Sequence, residues 1–200
     1  MKKIWLILVG IILIGAGVFG FTKFKETFGP VHGLIVYSSD KQKLDDKLKQ
    51  NDKYIATQFT VEAKYSPKSD TLILNEQAAG DLIKIKALNK VTQKSDKFTF
   101  KPITSLPKTP ILWSKKDEAT LSDEKGNNIS ASSHGYVVLG ESSRTSKILI
   151  LDKKAYASFE APTEYVSIIK EKRAADDALE NYLIKNQTHQ ITNQIFHYQN

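Results

Sequence analysis

The chain has no cysteine among its 200 residues. That excludes disulfides, thiolate catalysis and any metal site built on sulfur. Arginine is scarce as well: of 29 Lys and Arg residues, only Arg144 and Arg173 are arginine. Base reading and two-pronged phosphate recognition lean on arginine, so no nucleic acid is expected as a partner. The 10 glycines form neither a phosphate-cradling loop nor a dinucleotide fingerprint, and no cofactor is expected. The four histidines, His32, His134, His189 and His197, show neither i,i+4 spacing nor a nearby set of acids, and no metal is expected.

What the chain does have is one long apolar run. Lys2 and Lys3 precede eighteen uncharged residues, Ile4 to Phe21. At 1.5 Å per residue they make a helix of roughly 27 Å, close to the roughly 30 Å of a bilayer's hydrocarbon core. Trp5 and Phe21 fall where the headgroup interfaces would lie. Gly15-Ala16-Gly17 offers small residues for signal cleavage, which would release the protein. The apolar run continues past that cut through Val18, Phe19 and Phe21, so an uncut anchor is the expectation. Residues 1–21 then hold the chain in the cell membrane as a single pass, and Lys2 and Lys3 keep its start cytoplasmic.

Leu13-Ile14-Gly15 is the triplet that precedes a lipid-bearing cysteine, but Ala16 follows it. The segment resembles the signal of small predicted lipoproteins of Gram-positive bacteria with the acceptor position lost. That resemblance covers only about the first twenty residues and implies an envelope location. Gly20-Phe21-Thr22 followed by Glu26 also resembles a type IV pilin processing site. There the apolar helix follows the site, whereas here it precedes it, and the pilin reading fails on order.

Residues 22–30 read as a stalk ending at Gly29-Pro30. Residues 31–200 are long enough for one domain with its own core. GLIVY at 33–37 predicts a strand, and Ser39 with Gln42 predicts a capping box opening a helix over KQKLDDKLKQN. Tyr54 to Tyr65 predicts another strand. Leu72-Ile73-Leu74-Asn75 before EQAAG is echoed by Leu149-Ile150-Leu151-Asp152 before KKAYAS. Each predicts a buried strand, a capping Asn or Asp and a helix start, and chance repetition competes with duplication as the cause. DLIKIKAL fits either a helix or a strand. The middle alternates as strands with KGNN as a turn, and a final helix is expected from about Ala174 through Leu179, Leu183, Ile191 and Ile195. The whole predicts an α+β fold, or loosely α/β, with helices packed on a mixed sheet.

Chemistry is thinly signposted. Ser133, His134 and Glu141 supply the residue types of a nucleophile, base and orienting acid, but no Gly-x-Ser-x-Gly elbow holds them. Omitting Lys2 and Lys3 leaves 27 basic residues against 22 acidic ones. A lysine-rich body outside a membrane suits an anionic wall polymer or another envelope protein, and lysine also serves plain solubility. Two functions follow: an anchored extracytoplasmic binding or interaction module, and an exported hydrolase-like enzyme.

Overall fold

All six residues of Gly33–Ser38 are buried, as a strand covered on both faces requires. The computed structural model describes residues 31–94, 97–184 and 191–198, so the expectations for 1–21 and 22–30 lie outside the described residues. The chain divides into Met1–Val31 and His32–Asn200, and the second unit is the subject below.

In chain order that unit begins with β1 (Gly33–Ser38), α1 (Lys41–Asn51), β2 (Ile55–Ser66), β3 (Thr71–Asn75) and α2 (Glu76–Lys84). It continues with β4 (Leu88–Lys94), β5 (Lys97–Pro102), β6 (Ile111–Ser114), β7 (Thr120–Ser122), β8 (Asn128–Ser130), β9 (Ser132–Ser133) and β10 (Val137–Leu139). Last come β11 (Lys147–Leu151), α3 (Lys153–Ser158), β12 (Thr163–Glu171), α4 (Ala175–Ala178) and β13 (Gln194–Phe196). Among the described residues, the main sheet runs β13-β1-β12-β2-β3-β11-β6-β9. The β3–β11 and β6–β9 pairs are parallel and the others antiparallel. The fold is α+β with a mixed sheet, and β10-β4-β5 forms a smaller sheet beside it.

The strands alternate, and each face gathers its own core. One face joins Ile35, Val166, Leu72, Leu74, Ile148 and Ile150 to Ala79 and Leu82 of α2 and to Leu88 and Val137 of the smaller sheet. On the other face Leu44 and Leu48 of α1 pack on Leu34, Val36 and Ile169. Tyr156 of α3 joins Ile73, Leu149 and Leu151 on that same side of the sheet. Gly33 lies opposite Phe196, and a Cβ there would stand 2.4 Å from the Phe196 carbonyl oxygen. Only glycine lets β13 dock so closely.

The two echoed segments are neighbours. β3 and β11 run parallel with Leu72 opposite Ile148, Ile73 opposite Leu149 and Leu74 opposite Ile150. The echo would have matched Leu72 to Leu149, so the pairing is one residue out of step with it. A one-residue slip reverses every side chain. Leu72 therefore faces α2 while Leu149 faces α3, on opposite sides of the sheet. The copies are two solutions of strand, cap and helix rather than one unit stacked twice. Both predicted caps are in place: Asn75 Oδ1 accepts from Ala78 N–H at 2.8 Å, and Asp152 Oδ1 accepts from Ala155 N–H at 2.9 Å.

Three local expectations change or sharpen. The cap of α1 is Asp40, not Ser39: its carboxylate accepts from Lys43 N–H at 3.1 Å, while Ser38 Oγ accepts from Asp40 N–H. DLIKIKAL resolves as helix through Lys84, burying Ala78, Ala79 and Leu82. The long C-terminal helix does not form. α4 ends at Ala178, a 3-10 turn spans Leu179–Tyr182, and Gln194–Phe196 is a strand on β1. The reason lies in two buried amides. Asn193 Oδ1 accepts from Tyr37 N–H at 3.1 Å and its Nδ2 donates to Tyr182 O at 3.0 Å. Gln194 Nε2 donates to Tyr37 Oη at 2.8 Å and to Leu139 O at 3.0 Å. These bonds reach across the fold to partners that an isolated helix would lack. Among the described residues no helix is long and apolar enough to cross a membrane.

Candidate functional site

β6 leaves the sheet at Ser114, and the next residues, Lys115 and Lys116, are exposed. β11 enters directly opposite, because Lys147 is the register partner of Ser114. Between them lies a cleft of about 380 Å³, walled by Lys115, Lys116, Lys147, Tyr136, Ser143 and Ser146 among others. A smaller trough of about 170 Å³ adjoins it, lined by Val138 and by Phe98 and Phe100 of β5 among others. Lys115, Tyr136 and Ser143 line both. Phe98 is 54% exposed, which a core residue would not be.

The loop 140–146 that forms one wall is clamped from several sides. Gly140 adopts φ +71°, its N–H donates to Ala87 O at 2.8 Å, and its carbonyl accepts from Asn89 Nδ2 at 2.8 Å. Ser142 Oγ donates to Gln194 Oε1 at 2.7 Å. Ser146 N–H donates to Asp70 Oδ2 at 2.9 Å, and its hydroxyl donates to the same oxygen. A loop held this way presents its polar groups at low ordering cost on binding.

The electrostatics are uneven along the cleft. Lys147 Nζ lies 2.5 Å from Glu118 Oε2, so that lysine is already paired. Lys115 Nζ sits 5.3 Å from the centre of the Tyr136 ring, a cation–π contact that leaves its N–H groups available. Of the two arginines, Arg144 is exposed on the loop 140–146. Arg173 is structural, stacked 3.7 Å from the centre of the Tyr54 ring and paired with buried Glu171 at 3.3 Å.

The residues singled out for hydrolysis are not assembled by the fold. Ser133 belongs to β9, one edge strand of the main sheet, and exposed His134 follows it. Glu141 Oε2 instead accepts from His197 Nδ1 at 3.0 Å and from His197 N–H at 3.1 Å, beside β13 at the other edge. With the carboxylate as acceptor, Nδ1 must carry the proton. His32 Nδ1 donates to Arg173 O at 2.9 Å, a structural bond. Among the described residues no three His, Cys, Asp or Glu side chains gather as metal ligands. The anchor residues Lys2, Lys3, Trp5, Leu13, Ile14, Gly15, Ala16 and Phe21 lie outside the described residues.

The residues that build the cleft carried a faint sequence signal: a Lys-Lys pair directly after Ile111-Leu112-Trp113-Ser114, and the serine-rich ESSRTS between two strands. What joins them is the β6–β11 register, a pairing of strands far apart in sequence.

Fold and cleft together define an α+β body with a cleft lined by lysines and serines, in which Ser133, His134 and Glu141 are not brought together. The chain belongs to a lipoprotein family described as the uncharacterised lipoprotein family, whose model matches residues 31–199. It is accordingly an extracytoplasmic, membrane-associated protein of the cell envelope. A crystal structure at 1.5 Å of a candidate lipoprotein from Bacillus anthracis shares the fold, with a TM-score of 0.64 and 22% identity. The match covers 73% of this chain and 87% of that one. No curated protein matches the chain.

Proposed function

We propose that this chain is a binding module of a Gram-positive envelope, held by its uncut N-terminal segment and engaging its ligand at the lysine cleft. The observation that carries the reading is the clamped loop 140–146, which brings Ser143 and Ser146 into one cleft with Lys115 and Lys116. Anchorage by the apolar segment follows from chemistry. A lipoprotein's lipid is carried by a cysteine thiol, this chain has none, and Ala16 stands after Leu13-Ile14-Gly15. Residues 4–21 are long enough to span a bilayer and would hold the body as a single pass, facing outward.

The test is direct. Full-length protein in detergent micelles, isotopically labelled, is titrated with solubilised envelope polymers. The reading predicts saturable shifts confined to the cleft, at Tyr136 and Ser143, while the polymers stay chemically unchanged. Bond cleavage in those polymers that disappears in His134→Ala would overturn it in favour of the enzyme.

A further inference from the structure

The serines of the cleft share a property that specifies the ligand. Ser69 Oγ donates to Thr71 Oγ1 at 2.9 Å, and Ser143 Oγ donates to Thr145 O at 2.7 Å. Ser114 Oγ donates to Lys116 O, and Ser146 Oγ donates to Asp70 Oδ2. Each hydroxyl has one proton, and in all four it is spent on the protein. What these oxygens offer the cleft is lone pairs. A bare anion would meet repulsion there, whereas a ligand hydroxyl would find an acceptor.

Beside those acceptors stand the cations. Lys147 is matched by Glu118, which leaves Lys115 and Lys116 at the cleft and Arg144 on its loop. Lysine acts as a point charge and suits the diffuse charge of a phosphodiester. The trough adds a third requirement, since Tyr136, Phe98 and Phe100 present ring surfaces that carbon-bound hydrogens can cover. Cleft and trough share Lys115, Tyr136 and Ser143 and so adjoin one another.

Resting on the cleft as the binding site, we infer that the ligand is a chain of polyol or sugar phosphate. Its phosphates meet Lys115 and Lys116, its hydroxyls donate to the serine oxygens, and its carbon skeleton runs along Tyr136 toward Phe98. Lipid headgroups share part of this chemistry, but a headgroup brings a single phosphate, whereas the cleft and the trough adjoining it offer cations, acceptor oxygens and ring surfaces in succession, which favours a polymer.

The experiment measures affinity of the full-length protein in neutral detergent micelles for poly(glycerol phosphate), inorganic polyphosphate, neutral dextran and phosphatidylglycerol vesicles at fixed salt. The expected order places poly(glycerol phosphate) about tenfold tighter than polyphosphate of equal charge, or about 1.4 kcal/mol, with no binding of dextran. Replacing both Lys115 and Lys116 by Ala lowers that affinity by about tenfold, Tyr136→Ala by a few-fold, and Lys49→Ala on α1 leaves it unchanged. Polyphosphate binding as tightly, or Lys49→Ala costing as much, would overturn the inference and mark diffuse charge attraction. Cleft-dependent binding of vesicles without the polymer would overturn the choice of a polymer. Shifts at Tyr136 on adding a non-phosphate envelope polymer, with no phosphate ligand bound, would sink this inference and leave the binding module standing.

Discussion

Glu141 and His197 tie the loop beside the cleft to the C-terminal strand. One carboxylate oxygen accepts from both the ring Nδ1 at 3.0 Å and the backbone N–H at 3.1 Å of His197. The residue that the sequence offered as a catalytic acid therefore works as a clasp. Glu141→Ala removes a charged acceptor from two donors and should cost about 2 kcal/mol. Urea unfolding measures the loss. Faster amide exchange at Ile195, Phe196 and His197 should accompany it, and protection unchanged there would contradict the clasp.

Glu164 is a different kind of carboxyl. It is 1% exposed on β12, both oxygens lack a hydrogen-bond partner among the described residues, and burial pushes it from 4.5 up to about 8. Between those values the folded protein keeps a proton that the unfolded chain releases. Stability is therefore greatest below pH 4.5 as far as this group is concerned, falls as pH rises, and levels above about 8. The slope is at most roughly 1.4 kcal/mol per pH unit. Glu164→Gln should flatten it, and denaturant midpoints at pH 5 and pH 8.5 that keep the wild-type difference would refute the assignment.

Gly80 lies within α2 with nothing inside 4 Å of the position a Cβ would take. A glycine there costs the helix entropy without serving packing. Gly80→Ala should stabilise the fold by about 0.5–1 kcal/mol in thermal or urea unfolding. A destabilised variant would mean that the helix or its surroundings differ from this description.

The echoed caps supply a test of the opposite-face arrangement. Asn75→Ala and Asp152→Ala should each cost about 1 kcal/mol. Their helices pack on different sides of the β3–β11 pair, so the double variant should lose nearly the sum. Strong coupling in a double-mutant cycle would put the helices in one packed layer, contrary to the register of β3 and β11.

The apolar runs at 33–37, 72–74 and 149–151, and the caps Asn75 and Asp152, are local signals, and they placed strands and helix starts where the structure has them. The cleft needs β6 beside β11, a pairing between residues more than thirty apart whose register no local pattern encodes. The C-terminal segment misled for a related reason. Its apolar spacing fits a helix, but Asn193 and Gln194 bond to Tyr37, which lies on β1 at the far end of the chain. Ser133, His134 and Glu141 were close in sequence, yet Ser133 lies at one sheet edge while Glu141 bonds beside the other.

The central claim is a body displayed outside the cell by a segment that is neither lipidated nor removed. Fractionation of native cells followed by intact mass spectrometry reads it directly. The account predicts a species near the full-length 22.5 kDa in the membrane fraction, released by detergent and not by salt. A species in the medium whose mass begins near Val18 would contradict it, showing that cleavage at Gly15-Ala16-Gly17 frees the body from the membrane.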